Sequence, residues 1–166
     1  MAVEGYNKTL PSFNHRRLFS LENPFSPAMF LAEKQQQLLT RLKVIEDAYE
    51  RLAAIVARGK KWPAPAEEFR TDAHRVAGCS SRVWLVGRVE DGRCHFQMDA
   101  DSPLVKGLVA LFCELCDGAT AEEIAGFEPE VIPALHLDRQ LSPTRLHGLA
   151  SVLRTIKAFA AAQVPR

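Results

Sequence analysis

Long apolar runs are missing from this 166-residue chain, and none is longer than Leu108–Cys113, far short of the roughly 20 residues needed to cross a bilayer. No membrane partner is expected. An excess of one charge is missing too: 21 Lys and Arg stand against 20 Asp and Glu, for a net charge of +1. That balance argues against nucleic acid or an anionic membrane surface as a partner. Neither G-x-x-x-x-G-K nor G-x-G-x-x-G occurs, so no backbone cradle for phosphates is encoded and a nucleotide cofactor is not expected. Met1–Asn7 lacks a basic segment followed by an apolar one, so no secretory signal is read and a cytoplasmic location is the expectation. Cysteines are few, four at uneven spacing. In a reducing compartment they point to free thiols, a metal site or redox chemistry rather than a disulfide framework.

What is present describes one globular domain. A hydrophobic content of 47% with 25% charged residues suits a chain able to close a single core. Residues 1–27 stand apart, with Pro11, Pro24, Pro27 and scattered aromatics but no sustained period. They read as an extension, mobile or laid over the surface. Its His15-Arg16-Arg17 cluster is a solvated patch, and Glu4 and Glu22 weaken any reading as an organelle-targeting segment. From Pro27 to Arg58 neither Gly nor Pro intervenes, and Leu38, Leu42, Ile45, Tyr49, Leu52 and Val56 repeat at helical spacing. Ser26-Pro27 suits the start of this stretch, while Asp47 with Glu50 offers an internal cap that would split it into two helices.

The middle of the chain is the β part. Arg82–Val89 and Cys94–Asp99 read as strands around an Asp91-Gly92 turn, with His74–Ala77 as a short third strand. Ser102-Pro103 then opens a helix to about Cys116 that is apolar nearly all round, and Gly118 ends it. Thr120 and Glu123 form a capping box for a short helix. Ser142-Pro143 starts a long one with Leu146, Leu149, Leu153, Ile156 and Phe159 on one face. The expectation is an α+β domain, a small antiparallel sheet packed against helices.

One stretch, V-A-G-C-S-S-R-V-W-L from Val76 to Leu85, carries chemistry. Gly78 allows a turn, Ser80 and Ser81 favour one, and Cys79 sits between them just ahead of a buried strand. A thiol so placed can be presented to a partner or withdrawn. His74, Arg75 and Arg82 are near enough in sequence for any of them to stabilise a thiolate. The competing reading is a small buried cysteine beside a strand. Cys113 and Cys116 form a C-x-x-C, but inside an apolar helix rather than at a strand-to-helix junction, which favours core packing. For zinc, Cys79, Cys94, His74, His95 and His136 lack ligand spacing relative to one another. In L-S-P-T-R-L-H-G-L, Leu141–Leu149, Arg145 falls in the first turn of a helix, where a cation opposes the macrodipole. It reads either as a contact residue or as a solvated head on a packed stem, and His147 shares the ambiguity.

These segments together resemble the SufE family of sulfur acceptors, from near Asp47 to about Ala162. G-C-S-S-R-V-W-L is similar to the family's G-C-x-x-x-V-W signature. D-A-D-S-P-L-V-K-G-L (Asp99–Leu108) is similar to its strand-end acid and V-K/R-G-L helix, and L-S-P-T-R-L-H-G-L to its L-S/T-x-x-R-x-x-G-L element. The resemblance makes residues 28–166 a SufE-like domain with a three-stranded antiparallel sheet. It implies that Cys79 accepts persulfide sulfur from a cysteine desulfurase, stimulates that enzyme and delivers sulfur to an iron–sulfur scaffold. Arg145, Asp99, Arg82 and His74 are supporting candidates. No cofactor is implied, since pyridoxal phosphate belongs to the desulfurase, and no metal. The chain would be a sulfur-transfer protein rather than a stand-alone enzyme, a monomer or weak homodimer. A CsdE-like carrier for another pathway, such as tRNA modification, and a non-catalytic desulfurase-binding module are the alternatives. Leu146-His147 departs from the small or polar residues common there in the family, and the 1–27 extension has no counterpart in compact members.

Overall fold

The computed structural model describes residues 31–164. The 1–27 extension and the Ser26-Pro27 start lie outside them. The long stretch free of Gly and Pro forms two helices, α1 (Leu31–Lys43) and α2 (Ala48–Lys61). Asp47 makes the break, its carboxylate accepting from the N–H groups of Tyr49 and Glu50 at 2.9 Å each. Arg51 reaches back to the carbonyls of Leu42, Ile45 and Glu46 (2.6–3.2 Å), tying α2 to the last turn of α1 and to the connector after it. The break rotates one helix against the other, so the single apolar face expected from Leu38 to Val56 does not exist. Leu38, Leu42 and Ile55 are buried, whereas Tyr49 is 84% exposed.

Strand β1 (Val83–Glu90) pairs antiparallel with β2 (Arg93–Ala100), in register from Val83↔Ala100 to Glu90↔Arg93. Asp91 (φ 49°) and Gly92 (φ 74°) both turn with positive φ, as a two-residue type I′ hairpin requires. The sheet has two strands among the described residues, not three. The expected strand His74–Ala77 is reduced to one bridge, Arg75↔Trp84, with Val76 N–H donating to Val83 O at 2.8 Å. A 3₁₀ turn at Asp72–His74 and the left-handed Gly78 (φ 80°) leave no room for more.

Helix α3 (Pro103–Cys116) starts as expected, with Ser102 capping Val105 N–H at 3.4 Å and Pro103 in the first turn. It forms the centre of the core, packed on β2 and α2. Its crossing with α2 is backbone to backbone, because a Cβ at Gly59 would lie 2.6 Å from Gly107 N and one at Gly107 2.6 Å from Ile55 O. Arg58 Nη1 donates to both carboxylate oxygens of Glu114 across the same interface, at 2.8 and 2.7 Å. Cys113 and Cys116 are fully packed core residues, which answers the C-x-x-C question. At the end of α3, buried Lys34 of α1 donates to Leu115 O and Asp117 O, a cation placed where the helix dipole is negative. Burial pulls the Lys34 pKa down, against the pull of Asp117.

The remaining helices are α4 (Ala121–Gly126), with the Thr120–Glu123 capping box, α5 (Val131–Ala134), and α6 (Pro143–Gln163), capped by Ser142. Leu149 and Ile156 of α6 are buried, with Leu146 and Phe159 packed partly against the core. None of the described helices is long and apolar enough to cross a membrane.

Candidate functional site

Cys79 sits on a loop with pinned ends. Val76 and Val83 are both buried and joined by their own hydrogen bond at 2.8 Å, so the turn between them can change shape while its base stays in the core. Gly78 holds φ 80°, a conformation in which a Cβ would be strained. The loop lies on α6. A Cβ built on Gly78 would stand 2.9 Å from Ser151 Oγ and 3.9 Å from His147 Nε2, and one on Gly148 would stand 2.8 Å from Cys79 Sγ. Helix-interior glycine costs about 1 kcal/mol relative to alanine, and at Gly148 the space gained is filled by the sulfur. Ser151 is itself fixed, donating to His147 O (3.2 Å) and accepting from Arg154 Nη2 (2.7 Å).

The electrostatics of the thiol run against the expectation from sequence. Burial raises the Cys79 pKa, the N–H of Ser81 works to lower it, and the charge of Asp101 raises it further. None of the three nearby basic side chains acts on the sulfur. Arg82 is committed to Asp101, through its backbone N–H (3.1 Å) and its Nε (3.3 Å), and lies over the Trp84 ring at 5.8 Å. His74 Nδ1 meets Thr71 Oγ1 at 3.1 Å, with its ring edge-on to Phe69. Arg75 is exposed at its bridge to Trp84. At rest Cys79 is therefore a neutral, half-buried thiol. Alkylation of Cys79 by iodoacetamide is expected to rise with pH through a midpoint above the roughly 8.5 of a free cysteine. A midpoint at or below that value would show that a cation does reach the sulfur.

Asp99 belongs to a different cluster. It lies opposite Trp84 in the hairpin and takes Lys106 Nζ on Oδ1 and Arg70 Nη2 on Oδ2, each at 2.7 Å. Burial pushes its pKa up, but the hydrogen bonds from Lys106 and Ala100 N–H and the two positive charges prevail and hold it below the ordinary value. It ties β2 to α3 and to the connector before the cysteine loop. A depressed carboxyl pKa contributes stability above about pH 4 that is lost as pH falls through the lower folded value. Asp99→Asn is expected to cost about 1–2 kcal/mol at pH 7, kept small because water reaches Arg70. Urea unfolding of both proteins at pH 7 and pH 3 checks this, since the difference should shrink at the lower pH. Arg145 is exposed in the first turn of α6, its backbone N–H on Ser142 Oγ at 3.4 Å. The structure thus brings Gly78, Cys79, Ser81, His147, Gly148 and Ser151 together, while Asp99 and His74 are engaged with other groups. Neither Gly148, the fixed glycine of the L-S/T-x-x-R-x-x-G-L element, nor Asp101 was named as a site candidate from sequence. A glycine interrupting an otherwise regular amphipathic helix was the available signal for the first.

The other thiols are set for packing. Burial pushes Cys94 up to about 11 and Cys116 up to about 12, and raises Cys113 well above the ordinary range. Among the described residues no group of three or more His, Cys, Asp and Glu converges as a metal site would require.

Comparison with known proteins bears on the family and the fold. A family model described as SufE, Fe-S metabolism associated domain, matches residues 36–160. A SufE-like protein of Synechocystis is 33% identical over 126 residues, 76% of this chain and 79% of that one. The sulfur acceptor protein CsdE of Escherichia coli is 34% identical over 138 residues, 82% of this chain and 91% of that one. The solution structure of a hypothetical protein from Thermus thermophilus, 23% identical, superposes with a TM-score of 0.66 over 78% of this chain and 94% of that one. It supports the α+β fold.

Proposed function

The chain belongs to the SufE family, and from that membership we propose that Cys79 accepts sulfur from the persulfide of a cysteine desulfurase and carries it to an iron–sulfur scaffold. The observation that carries the reading is the placement of Cys79. One half-buried thiol sits on a turn whose ends are anchored in the core, while the other three are sealed inside. The name of the Escherichia coli relative, a sulfur acceptor, supports the same role.

The chemistry is an exchange without net oxidation. Cys79 loses its proton to solvent or to a base of the donor, and its thiolate attacks the outer sulfur of the donor's Cys–S–SH. A bond forms between Cys79 Sγ and that sulfur, the donor's S–S bond breaks, and the donor cysteine leaves as a thiolate. Delivery repeats the exchange with Cys79 as the leaving thiolate. Burial and the Asp101 charge keep the resting thiol protonated, so docking must lift Cys79 off α6 to activate it. The same withdrawal shelters the loaded sulfur from adventitious reductants. Pyridoxal phosphate remains with the desulfurase.

Intact mass tests the proposal. After incubation with a cysteine desulfurase and L-cysteine, this chain is expected to gain one sulfur that dithiothreitol removes, and the desulfurase to turn over faster in its presence. Faster turnover without any gain would assign the chain to desulfurase binding alone. A gain that passes to a tRNA-modifying sulfur carrier but not to an iron–sulfur scaffold would redirect the delivery.

A further inference from the structure

We propose that Gly148 is a positioning residue, whose missing side chain forms the seat that holds the Cys79 sulfur at rest and so sets how often the thiol is presented. The inference deepens the sulfur-acceptor reading and rests on it for its purpose, although the seat itself is a property of this chain alone.

The argument begins with what a methyl group would meet. At Gly92, Gly118 and Gly126 an added Cβ would touch nothing within 4 Å. At Gly148 it would stand 2.8 Å from Cys79 Sγ but 3.7 Å from the Cα and Cβ of the same residue. Only the sulfur conflicts. Glycine is a destabilising choice inside a helix, and α6 continues past it to Gln163 without a break, so no backbone bend accounts for it. The contact fits the sulfur instead. One turn further on, Ser151 meets Gly78, so the two loop residues lie on two successive steps of one helix face. Removing the seat would lift Cys79 toward water while Val76 and Val83 keep the loop base in place.

The groups facing the loop are Asp101 ahead of α3, Arg82 paired to it, His147 on α6, and Arg154, which is held by Ser151. None of these is altered by a methyl at position 148. What changes is burial, the main influence holding the thiol neutral.

The test uses the full chain and needs no desulfurase. In Gly148→Ala, iodoacetamide alkylation of Cys79 at pH 7.5 is expected to run about tenfold faster than in wild type, and its pH midpoint to fall by about one unit. A double-mutant cycle covers the case in which the single variant folds poorly. In the Cys79→Ala background the sulfur is gone, so Gly148→Ala is expected to raise the urea unfolding midpoint. Wild-type alkylation in folded Gly148→Ala would overturn the seat, as would equal destabilisation by Gly148→Ala with and without the sulfur. Faster alkylation in a protein that accepts no sulfur from any desulfurase would uphold the seat and sink the carrier reading.

Discussion

Cys79→Ser is expected to abolish sulfur loading, so that no reductant-labile mass gain is seen, while leaving the fold intact. Serine fits the half-exposed position without a clash, but its hydroxyl does not ionise at neutral pH and forms no persulfide. Loss is expected to be complete because no other thiol substitutes. Cys94, with its pKa near 11, is only about 0.1% ionised at pH 8, and Cys116, near 12, less still. Both, with Cys113, are also shielded from any protein donor by the core. Access and ionisation multiply, so the difference from Cys79 exceeds either alone. The measurement is intact mass of both proteins after exposure to desulfurase and L-cysteine. An equal gain in the variant would move the acceptor into the core and require the domain to open.

Gly107→Ala is expected to produce the largest loss of stability, about 2–3 kcal/mol, seen in urea unfolding or as a melting point lower by roughly 5–10 °C. The added Cβ would lie 2.6 Å from Ile55 O and 2.9 Å from Ile55 C and Val56 Cα, all backbone atoms of α2. No rotamer relieves that overlap, so α2 and α3 must separate along their crossing and loosen the packing of Ile55, Leu108 and Leu111, which are fully buried. Alanine's better helix propensity returns about 1 kcal/mol, which the figure includes. The same substitution at Gly148 is expected to cost less. There the obstructing atom ends a side chain on a loop able to yield. An unchanged melting point for Gly107→Ala would mean the helices pack less closely than these distances state.

Much of the fold was legible because it rests on local rules. Asp47, Ser102, Thr120 and Ser142 each cap the helix their position announces, since a cap needs only the side chain and the next three N–H groups. Asp91-Gly92 makes its hairpin turn for the same reason. The third strand failed because pairing is not local. Val76 makes its bond to Val83, but the neighbouring 3₁₀ turn and Gly78 remove the residues that would extend the ladder. The spacing that puts Tyr49 on one face with Leu38 and Leu42 holds only if α1 and α2 are one straight helix, and the break at Asp47 leaves Tyr49 exposed.

The candidate site divides the same way. Sequence alone pointed to Cys79, through a flexible glycine, two turn-forming serines and the strand that follows, and it separated that thiol from the C-x-x-C inside an apolar helix. Those judgements depend on neighbours in the chain. The tertiary structure decided the rest: that Arg82 is spent on Asp101, that Asp99 holds a corner of the fold together, and that the thiol is kept neutral. It also decided that Gly148 receives the sulfur. The charge state of a group is set by what surrounds it in space, and Asp101 and Gly148 come to the Cys79 loop from elements distant in the sequence.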